Sequence, residues 1–96
     1  MPHLSDTAQS LLTILNNINE LIVKSSDRKS AEDVMKALVV FAKGKQFPIP
    51  QDKVDNFHAI LIDARPVTLT LLIKDIADDI LLSDSKNKKE VPRKTV

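Results

Sequence analysis

The chain has no cysteine, tryptophan or tyrosine, and a single glycine among its 96 residues. Without cysteine there is no disulfide scaffold, no thiol nucleophile and no thiolate zinc site. Small secreted domains usually need such staples, so the expected compartment is the reducing cytoplasm. One glycine cannot build a glycine-rich phosphate loop. Three phenylalanines are the only aromatic side chains. They fall on apolar helix faces or in a proline loop, so the stacking platforms of a single-strand nucleic-acid binder are missing. The net charge of +1 gives no global attraction to nucleic acid or to a membrane surface. No apolar run approaches the ~18 residues that a spanning helix requires. Met1-Pro2-His3-Leu4 lacks the basic start and continuous apolar stretch of a signal peptide.

What is present is helical periodicity in four segments. At 43% hydrophobic and 28% charged, the composition is that of a globular domain. Its length suits one domain. Leu4, Ala8, Leu11, Leu15, Ile18, Leu21 and Ile22 recur at spacings of three and four. This pattern predicts a first helix from about Asp6 to Lys24, capped by Ser5 or Asp6. Leu12, Ile14, Leu21 and Val23 widen its apolar face. Ser25 to Lys29 reads as a polar turn, and Ser30-Ala31-Glu32-Asp33 as a capping box opening a second helix. Val34, Met35, Leu38, Phe41 and Ala42 form the face of that helix. Ala37, Val39 and Val40 make it apolar almost all round, so it is expected to be the most buried. Gly44 then reads as its left-handed C-terminal stop.

Phe47-Pro48-Ile49-Pro50 cannot be helical, because alternate prolines remove donors and force extended geometry on the residues before them. A third helix is expected over about Gln51 to Ala64, with Val54, Phe57, Ile60, Leu61 and Ala64 on one side and Asp52 and Asp55 at its positive end. Pro66 reads as the first residue of a fourth helix running to about Ser83, with Leu69, Leu72, Ile73, Ile76 and Ile80 facing inward. Val67 to Leu71 also alternates with a period of two, and 58–62 reads as a partner strand. A hairpin through Asp-Ala-Arg-Pro without glycine is poor turn chemistry, so helix is the preferred reading. The expected fold is therefore all-α: an antiparallel, up-down-up-down four-helix bundle over residues 1–83, followed by a disordered, flexible basic tail over 84–96. From residue 83 on there are five Lys or Arg against two Asp or Glu, while the body holds nine against eleven.

Candidate chemistry is sparse. His3 and His58 are far apart, and His58 reads as a boundary residue on the third helix. Asp75, Asp78 and Asp79 cluster on the fourth helix, but no Glu-x-x-His pairing or second acidic helix accompanies them. A solvated face with Lys74 paired to Asp78 is the simpler reading. No nucleophile motif is recognisable, so the chain reads as a non-enzyme with neither catalytic residues, metal nor cofactor. Two features suit binding. One is the tail, Lys86, Lys88, Lys89, Arg93 and Lys94, as a contact for an anionic surface or partner. The other is a row on the outer side of the fourth helix, Val67, Leu71 and Leu82, as a self-association or partner patch.

In size, helix order, the stretch Ser26-Asp27-Arg28-Lys29-Ser30 followed by Asp33-Val34 and an apolar helix, and the lysine-rich end, the chain resembles the cytosolic immunity proteins that protect producers of pediocin-like bacteriocins. The resemblance implies a one-domain four-helix bundle with a flexible C-terminal segment. It would sit in the cytoplasm, peripheral to the membrane, and bind a toxin-bound membrane receptor complex from the cytosolic side. The rival expectation is an oligomerising assembly or adaptor module, viral, phage or secretion-related, whose outer helix row mediates homo-oligomer formation.

Overall fold

The computed structural model describes the backbone of residues 4–94 and the side chains of residues 4–85. Four helices follow one another: α1 (Asp6–Val23), α2 (Arg28–Gly44), α3 (Gln51–Ile60) and α4 (Pro66–Lys94). The fold is all-α, and the described residues contain no strand, so 66–73 is helical despite its alternating pattern.

Each helix starts where the chain supplies a group for its orphan amides. Ser5 caps α1, its hydroxyl accepting from the Ala8 N–H at 3.1 Å. The start of α2 differs from expectation. Asp27, not Ser30, is the cap: its carboxylate accepts from the Ser30 N–H at 3.1 Å and from the Ser30 hydroxyl at 2.7 Å. Ser30 therefore lies inside the first turn, and the helix begins three residues earlier. A carboxylate beside the positive helix end outcompetes a neutral hydroxyl three residues on.

The C-terminus of α2 is a second correction. No glycine has positive φ; Gln46 does, at 57°. The Gln46 N–H donates to the Lys43 carbonyl and the Phe47 N–H to the Ala42 carbonyl, at 3.0 and 2.9 Å. This is the paired bonding of a Schellman stop, with Gln46 in the left-handed place and Gly44 still helical. The stop falls there because Phe47 then turns back to be buried.

The third helix is shorter than its pattern. It ends at Ile60, and residues 61–64 form a turn in which the Asp63 and Ala64 N–H groups both donate to the Ile60 carbonyl. The orphan carbonyls there are met from a distance: the Arg28 guanidinium donates to the carbonyls of Leu61 and Ala64.

Two hydrogen bonds fix the direction of α1 against α4. The Ser5 N–H donates to Asp84 Oδ2 at 3.1 Å, and the Thr70 hydroxyl to Asn19 Oδ1 at 2.8 Å. As α1 advances from 5 to 19, α4 retreats from 84 to 70, so the two run antiparallel in step. Arg28 places the start of α2 beside the turn after α3, and Lys53 Nζ lies 2.9 Å from Asp79 Oδ2, which places the start of α3 beside the later part of α4. The helices thus alternate in direction. Close backbone packing joins α1 to α2, α1 to α4, and α3 to α4.

The core is the union of the inner stripes: Leu11, Leu15, Ile18 and Ile22 of α1, Met35 and Leu38 of α2, Val54 and Phe57 of α3, and Leu69, Ile76 and Ile80 of α4, with Phe47 from the connection. Burying one such side chain contributes roughly 1.5–3 kcal/mol. The second helix is not buried all round. Its buried residues form one stripe, Ala31, Met35, Leu38 and Ala42, while Val40 is 70% exposed. Among the described residues α1 is the helix closely packed on α2, and one face of α2 is covered.

The last correction concerns the end of the chain. The helix α4 does not stop at Ser83 but runs to Lys94. The expected tail over 84–96 is thus helical as far as 94, and 95–96 lie outside the described residues. Its lysines and Glu90 are good helix formers and extend an existing helix without an apolar stripe, against the cost of Pro92, whose missing N–H falls in the last turn. Asp84, expected to be solvated, is buried at 3% exposure against the start of α1.

Candidate functional site

The outer row of α4 is built by helix geometry alone. Buried Leu69, Ile73, Ile76 and Ile80 define the inner stripe, and Val67, Leu71, Lys74, Asp78 and Leu82 follow one another three or four residues apart on the opposite side. Val67, Leu71 and Leu82 are 62, 59 and 56% exposed, as the row requires. Asp75 adjoins it and is exposed too.

The structure does not gather the three apolar residues into one patch. Val67 and Leu71 are one turn apart. Leu82 lies eleven positions beyond Leu71, about 16 Å along the axis, with Lys74, Asp75 and Asp78 between. Leu82 instead joins Pro48, Ile49, Pro50, Asp79 and Ser83 around a surface depression of about 190 Å³. The row therefore reads apolar, charged, apolar.

Sequence reasoning missed two exposed apolar residues at the Val67 end, Val23 (54%) and Ile62 (84%). Asn19 bonds Thr70, so Val23, one turn after Asn19, comes level with the first turn of α4. Ile62 sits in the turn just before α4. In the sequence Val23 reads as a helix-face residue and Ile62 as part of a third helix. Only the early end of α3 and the register of α1 on α4 expose them together at one end of the bundle.

The carboxylates of α4 take different partners from those expected. The close ion pair runs between helices, Lys53 to Asp79, rather than along α4 from Lys74 to Asp78. The hydrogen bond to Asp79 raises the Lys53 ammonium above its ordinary value, opposed by partial desolvation and aided by the charges of Asp79, Asp75 and Asp78. Among the described residues no group of three or more His, Cys, Asp or Glu is arranged to hold a metal ion. His58 is half-buried, its ring edge-on to Phe57 with centroids 5.8 Å apart, and its Nδ1 is buried without a hydrogen-bond partner. A surface depression of about 480 Å³ lies between α1 and α2 and is lined by Asp6, Gln9, Ser10, Thr13, Ile14 and Phe41. Its polar lining is the Asp6 carboxylate, the Gln9 amide and the hydroxyls of Ser10 and Thr13.

Lys86, Lys88, Lys89, Arg93 and Lys94 have helical backbone, but their side chains lie outside the described residues, as does all of His3. No helix of the described residues is long and apolar enough to cross a membrane.

Comparison with family models, with curated proteins and with solved structures returns no match to this chain.

Proposed function

We propose that the protein is a non-enzymatic helical interaction module that binds a protein partner through the outer face of α4. The supporting observation is the outward row itself: Val67 and Leu71 stand more than half exposed on a helix whose inner stripe is already satisfied by the core. A helix this well anchored presents those side chains without an ordering cost at the moment of binding. The basic run Lys86, Lys88, Lys89, Arg93 and Lys94 continues the same helix and would add a salt-sensitive attraction for an acidic partner or an anionic surface.

The resemblance to bacteriocin immunity proteins supplies one concrete case. The chain would act in the cytoplasm, peripheral to the membrane, and hold a toxin-bound receptor complex in a blocked state. The second case is an oligomerising assembly or adaptor module, favoured by the alternation of apolar and charged residues along α4. Nucleic acid is disfavoured by the −2 balance of the body, nine basic residues against eleven acidic ones before residue 83.

A photo-activated cross-linker placed at Asp78, with a control at exposed Asp33 on α2, tests the reading in cells that make the protein. Protein adducts at 78 and not at 33 are expected, and their loss on Leu71→Lys. Equal labelling at both positions, or none at 78, would overturn it. The immunity case has its own readout. Expression in a strain sensitive to pediocin-like peptides should raise survival, and unchanged killing would remove that case.

A further inference from the structure

We propose that two copies of this chain exchange their C-terminal helical hairpins, α3 and α4 of each packing on α1 and α2 of the other, with residues 45–50 as the hinge. This goes beyond the reading of α4 as a binding face, because the outer side of α4 stays free in both forms.

The packing divides the molecule into two halves. Close backbone packing joins α1 to α2 within one half, α3 to α4 within the other, and α1 to α4 between them. Among the described residues α2 and α3 do not pack closely, although they follow one another in the chain. The halves are held by the shared core, by the Thr70–Asn19 and Ser5–Asp84 hydrogen bonds, and by Arg28 donating to the carbonyls of Leu61 and Ala64. Each of these hydrogen bonds joins a residue before the hinge to one after it. Each forms equally well when the two residues belong to different chains. Neither half covers its own inner stripe, so an opened chain is complemented by the opened half of a second copy.

The hinge supplies the driving force. Gln46 sits at φ 57°, in the left-handed region that a Cβ disfavours. Straightening the hinge releases that strain in both chains of the dimer. Pro48 and Pro50 push Phe47 and Ile49 out of helical geometry, so the straightened hinge cannot wind α2 and α3 into one helix. Six extended residues span roughly 20 Å, which carries α3 away from its own α2. Opening gives up the bonds from the Gln46 N–H to the Lys43 carbonyl and from the Phe47 N–H to the Ala42 carbonyl, and it unseats buried Phe47. It also costs the freedom of a second chain. The closed monomer therefore prevails when dilute and the exchanged dimer when concentrated. Interchange requires the core to part, so each form persists long enough to be separated.

The chain has no cysteine, so a thiol placed in it is unique. The Thr70 hydroxyl lies 2.8 Å from Asn19 Oδ1, so thiols in their place fall within reach of a short bismaleimide. The test mixes full-length Asn19→Cys and Thr70→Cys chains, refolds them together from urea at about 1 mM or about 1 μM, and adds the reagent. Circular dichroism verifies that each variant keeps its helices. Exchange predicts adducts at twice the monomer mass of 10.7 kDa from the concentrated mixture, few from the dilute one, and none from either variant alone. Residue 46 is exposed and tunes the yield. Gln46→Gly relieves the closed hinge in both chains and should lower the association constant about thirtyfold. Gln46→Val, whose branched Cβ resists positive φ, should raise it. Absence of the adduct from the concentrated mixture overturns the proposal, and so does a yield that these two substitutions do not move in opposite directions. Neither failure touches the cross-linking readout at Asp78, so failure of the exchange and failure of the binding face are told apart.

Discussion

Gln46 pays a backbone cost that Gly44 does not. Left-handed geometry disfavours a Cβ by about 1–2 kcal/mol, and Gln46 carries one at φ 57°. Gly44 is an ordinary helical residue, and a Cβ built on it meets nothing within 4 Å. The expected effects are therefore reversed from those the sequence implied. Gly44→Ala should stabilise the protein by about 0.5–1 kcal/mol in urea unfolding, and Gln46→Gly by up to about 1 kcal/mol. Destabilisation by Gly44→Ala would mean that the helix stops at residue 44 after all. The same scale holds a pH effect. The hydroxyl and amide of Ser30, in that order, hold the Asp27 carboxyl below its ordinary value of 3.8. A carboxyl depressed in the folded state contributes stability that is complete above its unfolded value and is lost as pH falls through the folded one. Asp27→Asn keeps a capping oxygen but cannot titrate, so stability below about pH 4 should fall less steeply in that variant. Identical acid limbs would show that the cap does not depend on the charge.

Among the helices, what can be read along the chain and what cannot divide by the range of the interaction. The stripe Leu11, Leu15, Ile18, Ile22 is legible because burial on one face of a helix imposes its own period. Pro66 as a first helical residue and the proline break at 48–50 are legible because they act on the backbone next to them. The end of α3 is not. Ile60, Leu61 and Ala64 continue the apolar period, and nothing nearby says stop. The chain leaves the helix there, and Arg28, more than thirty residues earlier, supplies donors to the freed carbonyls. In the sequence Arg28 is one charge in a polar turn. Arg28→Ala should cost about 1–3 kcal/mol, since it strips a charged donor from carbonyls that are partly buried. Arg28→Lys should recover only part, because an ammonium lacks the planar fork. Hydrogen exchange should accelerate over 61–64 first. A uniform acceleration across all helices would mean that Arg28 acts on global stability and not on this turn.

Over the whole molecule, the antiparallel α1–α4 pair closes the bundle by joining residues far apart in the chain. Short connections make the alternation of helix direction legible in the sequence, but not the register of the first helix on the last. Asp84 shows the gap. It stands among Ser83, Ser85 and Lys86 with no apolar period to mark it, so composition assigns it to a solvated tail. Its carboxylate is instead buried where it accepts the Ser5 N–H at the positive end of α1, a pairing across 79 residues. The packed side chains therefore reach as far as Asp84. Two truncations separate the positions. A chain ending at Ser85 keeps every described side chain and should melt close to the full protein. A chain ending at Ser83 loses the carboxylate at the head of α1 and should be less stable by about 1–3 kcal/mol, which for a domain of this size lowers the melting temperature by roughly 4–8 °C for each kcal/mol. The point substitution Asp84→Ala in the full chain should reproduce most of that loss. If both truncations melt together near the full-length value, Asp84 contributes nothing and the folded unit ends at Ser83, as its composition suggests. If both fall together, the stabilising contacts lie in the last turns of α4.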